Sequence, residues 1–135
     1  MKVRLVIFGS RTAFPNRDEI ALALYDLFGQ DENTEGRFSA DDPRGLIEQV
    51  ISGTAKGADE RGEMWAELHG IPVFRQPADW EAHGKAAGRV RNRVMAETAT
   101  HGLGFWHGES NGTAHMASLL LSWRKPVRLV EWRRP

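Results

Sequence analysis

The chain has 135 residues, 41% of them hydrophobic and 27% charged; this is the size and balance of one folded domain and excludes a disordered or fibrous chain. Its 18 basic and 18 acidic side chains leave a formal charge of zero, so no global field draws it onto nucleic acid or anionic lipid. Cysteine is absent, which removes disulfides, thiolate zinc sites and cysteine nucleophiles from consideration.

In chain order, five β-type runs alternate with four helix-type segments, the pattern of repeated βα units. The first strand, residues 3–8, is almost continuously apolar, as a central parallel strand covered on both faces must be. It meets Gly9 at once, so the N-terminus does not read as a signal peptide, no stretch reaches membrane-spanning length, and the cytoplasm is the expected address. A first helix starts near Asn16, where Asn16 and Glu19 have capping-box spacing, and buries Ile20, Leu24, Leu27 and Phe28. The polar stretch 29–45 is long for a connection in a compact domain and reads as an insertion, a mobile lid or a disordered loop.

Strand two covers 46–52, and a second helix after Gly57 buries Ala58, Gly62, Trp65 and Leu68 before stopping at Gly70. Strand three covers 73–75. A third helix, about 83–98, carries Gly84 and Gly88 one turn apart, each costing about 1 kcal/mol relative to alanine. The pair reads as a place of close approach: a ligand, a packed helix, or the seam of a homo-oligomer. Strand four covers 103–106, a fourth helix buries Met116, Leu119, Leu120 and Trp123, and strand five covers 127–132. Basic residues concentrate at Arg89, Arg91 and Arg93 and in the tail at Arg133 and Arg134. The expected fold is α/β: a Rossmann-like three-layer sandwich, one domain over 1–135, with a five-stranded parallel sheet in the order 3-2-1-4-5 and right-handed crossovers.

Ligands of such sheets bind at the carboxyl ends of the strands, where the strand order reverses, here between strands one and four. Three loops at that edge are rich in glycine and hydroxyls: Gly9-Ser10-Arg11; Ser52 followed by Gly53, Thr54, Ala55, Lys56, Gly57, Ala58 and Asp59; and Gly108-Glu109-Ser110-Asn111-Gly112-Thr113. Each precedes a helix, whose N–H groups and dipole attract phosphate without a metal; the competing reading is tight turns alone. Lys56 is followed by glycine instead of Ser or Thr, so this is no Walker loop, and no G-x-G-x-x-G follows strand one. Arg91 and Asn92 offer a guanidinium and an amide to phosphate or ribose oxygens, and Trp80, Trp106 or Tyr25 a ring to a base, with packing as the competing role and Trp106 reading rather as core. The histidines show no metal-ligand spacing, so no metal and no separate cofactor is expected.

These motifs, in this order over nearly the whole chain, resemble the SLOG superfamily and its YspA-like group, related to the Lonely Guy phosphoribohydrolases and to the DNA-processing protein DprA. The residues that carry the resemblance are Gly9 to Arg11, Ser52 to Asp59, the helix from Ala87 to Met95, and Gly108 to Thr113. It implies a Rossmann-like fold, a nucleotide or ADP-ribose-like ligand, and a phage or defence setting. Lonely Guy enzymes cleave N-glycosidic bonds with a helix arginine and a glutamate after a Gly-Thr turn. Arg91 matches the former, and Met116 stands where the glutamate belongs. A thioether can neither donate a proton nor stabilise an oxocarbenium-like centre, so a hydrolase built on this chain would need Asp59 or Glu109 as its carboxylate. The relation to DprA implies a single-stranded DNA-binding module, which zero net charge and few stacking aromatics disfavour.

Overall fold

A computed structural model describes residues 2–133, so Met1 and Arg134 of the basic tail lie outside the described residues. Five strands, β1 (Val3–Gly9), β2 (Ile47–Ser52), β3 (Val73–Arg75), β4 (His101–Trp106) and β5 (Val127–Glu131), form one all-parallel sheet. Their order is β3-β2-β1-β4-β5, as expected, with the reversal between β1 and β4. The helices are α1 (Arg17–Gly29), α2 (Ala58–Leu68), α3 (Trp80–His83), α4 (Ala87–Thr98) and α5 (Asn111–Ser122).

The alternation of side chains along β1 builds both cores. Leu5 and Ile7 join Ile20, Leu24 and Phe28 of α1 and Trp65 of α2 on one face; Val6 and Phe8 join Met95 of α4 and Met116 and Leu120 of α5 on the other. The layers approach closely because small residues sit at the contacts. A Cβ on Gly62 of α2 would lie 2.8 Å from the Ile7 side chain, and one on Gly104 of β4 would lie 2.7 Å from Leu129.

The helix read over 83–98 is interrupted. One turn, α3, is capped by Asp79, whose Oδ1 accepts from the Ala82 N–H at 3.0 Å; Gly84, at φ +54°, ends it. A 3-10 turn over Gly84–Ala86 leads into α4. A Cβ on Gly84 or on Gly88 meets nothing within 4 Å, so close approach at these glycines within the chain is overturned. Gly84 serves the backbone reversal instead. Leu68 and Trp123, expected in buried stripes, are 58% and 37% exposed. Leu68 ends α2, where Ala66 takes the sheet-facing position, and Trp123 lies past α5 as its C-cap, its ring facing Arg93 and Lys125.

The stretch 29–45 is folded against the body. Thr34 is fully buried, and its Oγ1 donates to the Phe28 carbonyl at 2.9 Å. Phe38 packs between Phe28 and Tyr25, and the Tyr25 hydroxyl accepts from the Ala40 N–H at 3.0 Å, which uses the one tyrosine for packing. Asp31 Oδ2 lies 2.7 Å from Nε2 of His101, itself 1% exposed on β4. Burial pulls His101 below its ordinary value against the opposing pull of Asp31. Burial pushes Asp31 up, and the His101 and Asn33 hydrogen bonds bring it below the usual carboxylate value. The pair is therefore a carboxylate holding a neutral imidazole.

Removing that acceptor leaves a buried imidazole N–H unpaired, at a cost of about 1–3 kcal/mol. Asp31→Ala is expected to lower the melting temperature by several degrees and to open 30–45 to limited proteolysis; an unchanged melt and digest would contradict the anchoring role.

Candidate functional site

A cavity of about 290 Å³ opens at the carboxyl ends of β1 and β4. The end of β1 supplies Phe8 and Gly9 and the loop after it Arg11; the β2–α2 connection supplies Ala55 and the first turn of α2 Asp59. Arg91, Asn92 and Met95 come from α4, and Ser110, Gly112, Thr113 and Met116 from the start of α5. Residues far apart in sequence meet here because the strand order reverses between β1 and β4, with α1 and α2 packed on one face of the sheet and α4 and α5 on the other.

The loops are locked to one another by backbone contacts. A Cβ on Gly9 would overlap the Phe105 carbonyl of β4, and one on Gly57, at φ +80°, would overlap the Ser10 carbonyl. That carbonyl accepts from the N–H groups of Ala13 (3.1 Å) and Ala58 (3.3 Å), and the Ser10 hydroxyl from that of His107 (3.3 Å). Ser10, Gly57 and Ala58 thus form the scaffold behind the cavity wall. Thr54 adopts φ +65°, uncommon for a β-branched residue and a form of strain found at ligand sites; its N–H is held by the Ser52 hydroxyl at 3.0 Å.

Arg91 projects from α4 with Nη1 donating to the Gly53 carbonyl at 2.6 Å and Nε to Asn92 Oδ1 at 3.1 Å. Asn92 Nδ2 lies 3.3 Å from the Gly112 carbonyl and 3.2 Å from His115 Nδ1. Asn92 therefore ties Arg91 to the start of α5: it lines the cavity, with both ends of its amide engaged by the protein. Burial lowers the His115 pKa, and Arg89 lowers it further, leaving a neutral ring that accepts from Asn92. Burial also lowers Arg91; Asp59 pushes it back up and Arg11 adds to the fall, but a guanidinium remains a cation.

Asp59 sits in the first turn of α2, 6% exposed, its Oδ2 accepting from the Ala55 N–H at 3.2 Å. A Cβ on Gly53 would lie 2.8 Å from both Asp59 Oδ2 and Arg91 Nη1, so only glycine lets carboxylate and guanidinium face each other there. Burial raises the Asp59 pKa to about 6, against the opposing pull of the Ala55 N–H and Arg91. At the starts of α2 and α5 the first N–H groups have no carbonyl within the helix to bond; that of Thr113 is taken by the Ser110 hydroxyl at 3.3 Å. The cavity thus combines two cations, two helix N-termini and one hard-to-ionise carboxyl.

Of the remaining sequence-derived residues, Trp80 is 59% exposed and lines a separate hollow with Gln76, Pro77 and Asp79. Gly88, Gly108 and Glu109 do not line the cavity. Among the described residues no group of three or more His, Asp or Glu is placed to hold a metal ion, and no helix is long and apolar enough to cross a membrane. Sequence reasoning missed Phe8 and Met95 in the apolar floor, which read as ordinary core; Met116, which the resemblance puts at the glutamate position, completes that floor. It also missed the contact of Thr12 Oγ1 with His107 Nε2 at 2.8 Å, which joins the first and third loops.

No family model matches the chain, and no solved structure does. It is similar to the Gene 61 protein of Mycobacterium phage D29, 40% identical over 79 residues, which cover 54% of this chain. The chain spans 62% of the length of that curated relative.

The raised Asp59 pKa fixes a sign. A carboxyl held at about 6 in the fold against 3.8 as its ordinary value favours folding below 3.8, and that contribution is lost as pH rises through 6. Asp59→Asn is expected to stabilise the protein by on the order of 2–3 kcal/mol at pH 7.5 and by almost nothing at pH 4, read from urea melts at the two pH values. Equal effects at both would contradict the assigned titration.

Proposed function

We propose that this protein binds a nucleotide or nucleotide-derived ligand of the ADP-ribose kind, with its phosphate in the cavity between β1 and β4. The observation that carries the reading is the fixed Arg91 guanidinium, anchored on the Gly53 carbonyl and Asn92 and set among the starts of α2 and α5. Positioned N–H groups and a bidentate-capable cation are what phosphate oxygens require, and preorganisation reduces the ordering cost of binding. In this reading Arg91 and Arg11 neutralise the phosphate, the N–H groups at the start of α5 around Gly112 cradle it, and Phe8, Met95 and Met116 exclude water beneath the sugar. About 290 Å³ is near the small end of ligand pockets, room for a phosphate and a sugar with the base directed outward. The cytoplasm and a phage or defence setting belong to the same reading, and the similarity to a phage protein supports the latter. Zero net charge disfavours nucleic acid as the partner.

A second reading, hydrolysis of an N-glycosidic or phosphate-ester bond in such a ligand, is favoured by Asp59: a carboxyl with a pKa of about 6 inside the cavity is suited to general acid work near neutrality. Glu109, the other carboxylate considered from the sequence, lies outside the cavity lining.

A thermal-shift panel of nucleoside monophosphates, ADP-ribose, NAD and short single-stranded DNA tests the first reading. At 100 times its dissociation constant a ligand stabilises by about 2.7 kcal/mol, and the expected result is a nucleotide shift of several degrees that Arg91→Ala loses. Silence across the panel, or an equal shift in the variant, would overturn it. Chromatography of nucleoside monophosphates after long incubation tests the second: base release is expected to be abolished in Asp59→Asn, and no product above a heat-killed control would dismiss it.

A further inference from the structure

A phosphate seated against Arg91 and the start of α5 in this cavity also meets Asp59, because the carboxylate and the guanidinium converge on the same point above Gly53. The charges that face Asp59 can be named element by element. Arg91 comes from α4, Arg11 from the β1–α1 loop, and Glu63 from α2 itself. From the β2–α2 connection comes the Ala55 N–H. On α5, His115, hydrogen-bonded to Asn92, is kept neutral by burial and by Arg89, and it does not line the cavity. Glu63 is engaged elsewhere, by the Ser52 hydroxyl at 2.6 Å and Arg75 at 2.8 Å. At pH 7.5 the charges around the cavity are therefore two cations, Arg91 and Arg11, and the titratable Asp59 carboxylate. A doubly charged tetrahedral group cancels both cations and leaves the Asp59 carboxylate as an uncompensated like charge beside it, 6% exposed and hence poorly screened by water.

We propose that anion binding in this cavity is proton-linked: the site admits a tetrahedral dianion together with one proton, taken up on Asp59. The protonated carboxyl then turns from a repelling group into a hydrogen-bond donor to the anion, while Oδ2 still accepts from Ala55. The inference rests on reading the cavity as an anion site and adds its charge selectivity: groups with two negative charges bind with a proton, and affinity rises as pH falls. The starting point is favourable, since burial has already raised this carboxyl to about 6 and the added dianion pushes it higher.

Inorganic sulfate is the decisive probe, because it stays a dianion throughout the working range and cannot take the proton itself. Calorimetry at pH 7.5 in two buffers of different ionisation heat counts protons directly, and more than half a proton per sulfate is expected. Between pH 7.5 and 5.5 sulfate affinity is expected to rise by roughly tenfold in the wild type and to stay nearly flat in Asp59→Asn, which keeps every histidine and so controls for their titration. Saturable sulfate binding with no proton uptake would overturn the linkage and leave the anion site standing. An absence of saturable sulfate binding at either pH would overturn both. The proton count on the wild type decides the matter even if the variant folds poorly.

Discussion

The last residues of β1 hold the rest of the molecule in register. Gly9 brings the backbone so near the Phe105 carbonyl that no side chain fits, and the next carbonyl, that of Ser10, accepts from both Ala13 and Ala58. One peptide unit thereby fixes the start of α2, the path into α1 and the end of β4. Everything at the carboxyl edge follows from this joint, including the distance between the starts of α2 and α5 and the position from which Arg91 reaches the Gly53 carbonyl. Close packing makes such a joint rigid, because interior contacts admit few alternative arrangements.

The same joint encloses an arrangement that lowers stability. Asp59 is buried where its ionised form is disfavoured, and Thr54 is held at positive φ. Neither assists folding: apolar replacement of a buried charge is often neutral or stabilising, and a left-handed β-branched residue carries strain. Thr54 lies in the β2–α2 connection and Asp59 in the first turn of α2; away from them Arg124, past the end of α5, also has a positive φ, while α1 has a full capping box and among the described residues no buried side-chain polar atom lacks a partner. A buried carboxyl and a left-handed β-branched residue close together, beside a cavity, are what a binding site imposes on a largely consistent fold.

Sheet order, the five strands and the first helix were legible in the sequence because they rest on strong, local signals: an uninterrupted apolar run in β1, Asn16 with Glu19, and alternating βα periodicity. The cavity was half legible. Its polar wall came from glycine-rich loops and from Arg91 at helical spacing, and Met116 from the resemblance, whereas Phe8 and Met95 carry no signal that separates a cavity floor from core. Stretch 29–45 left insertion, lid and disordered loop open because its composition is polar; what anchors it is the long-range pair Asp31–His101, 70 residues apart, which no local pattern encodes. Gly84 and Gly88 misled in the opposite way. Equal spacing suggested a common packing face, but Gly84 answers a backbone reversal and Gly88 faces open space.

Hydrogen exchange of backbone amides, with and without ADP-ribose or a nucleoside monophosphate, tests the central claim that the starts of α2 and α5 and the loop behind Arg91 form one phosphate site. Protection confined to Ala55–Asp59 and Asn111–Thr113, segments on two separate helices that slow together, is the result this account predicts. Protection elsewhere, such as around Trp80 and Pro77, with those two segments unchanged, would place the ligand outside the β1–β4 crevice and contradict it.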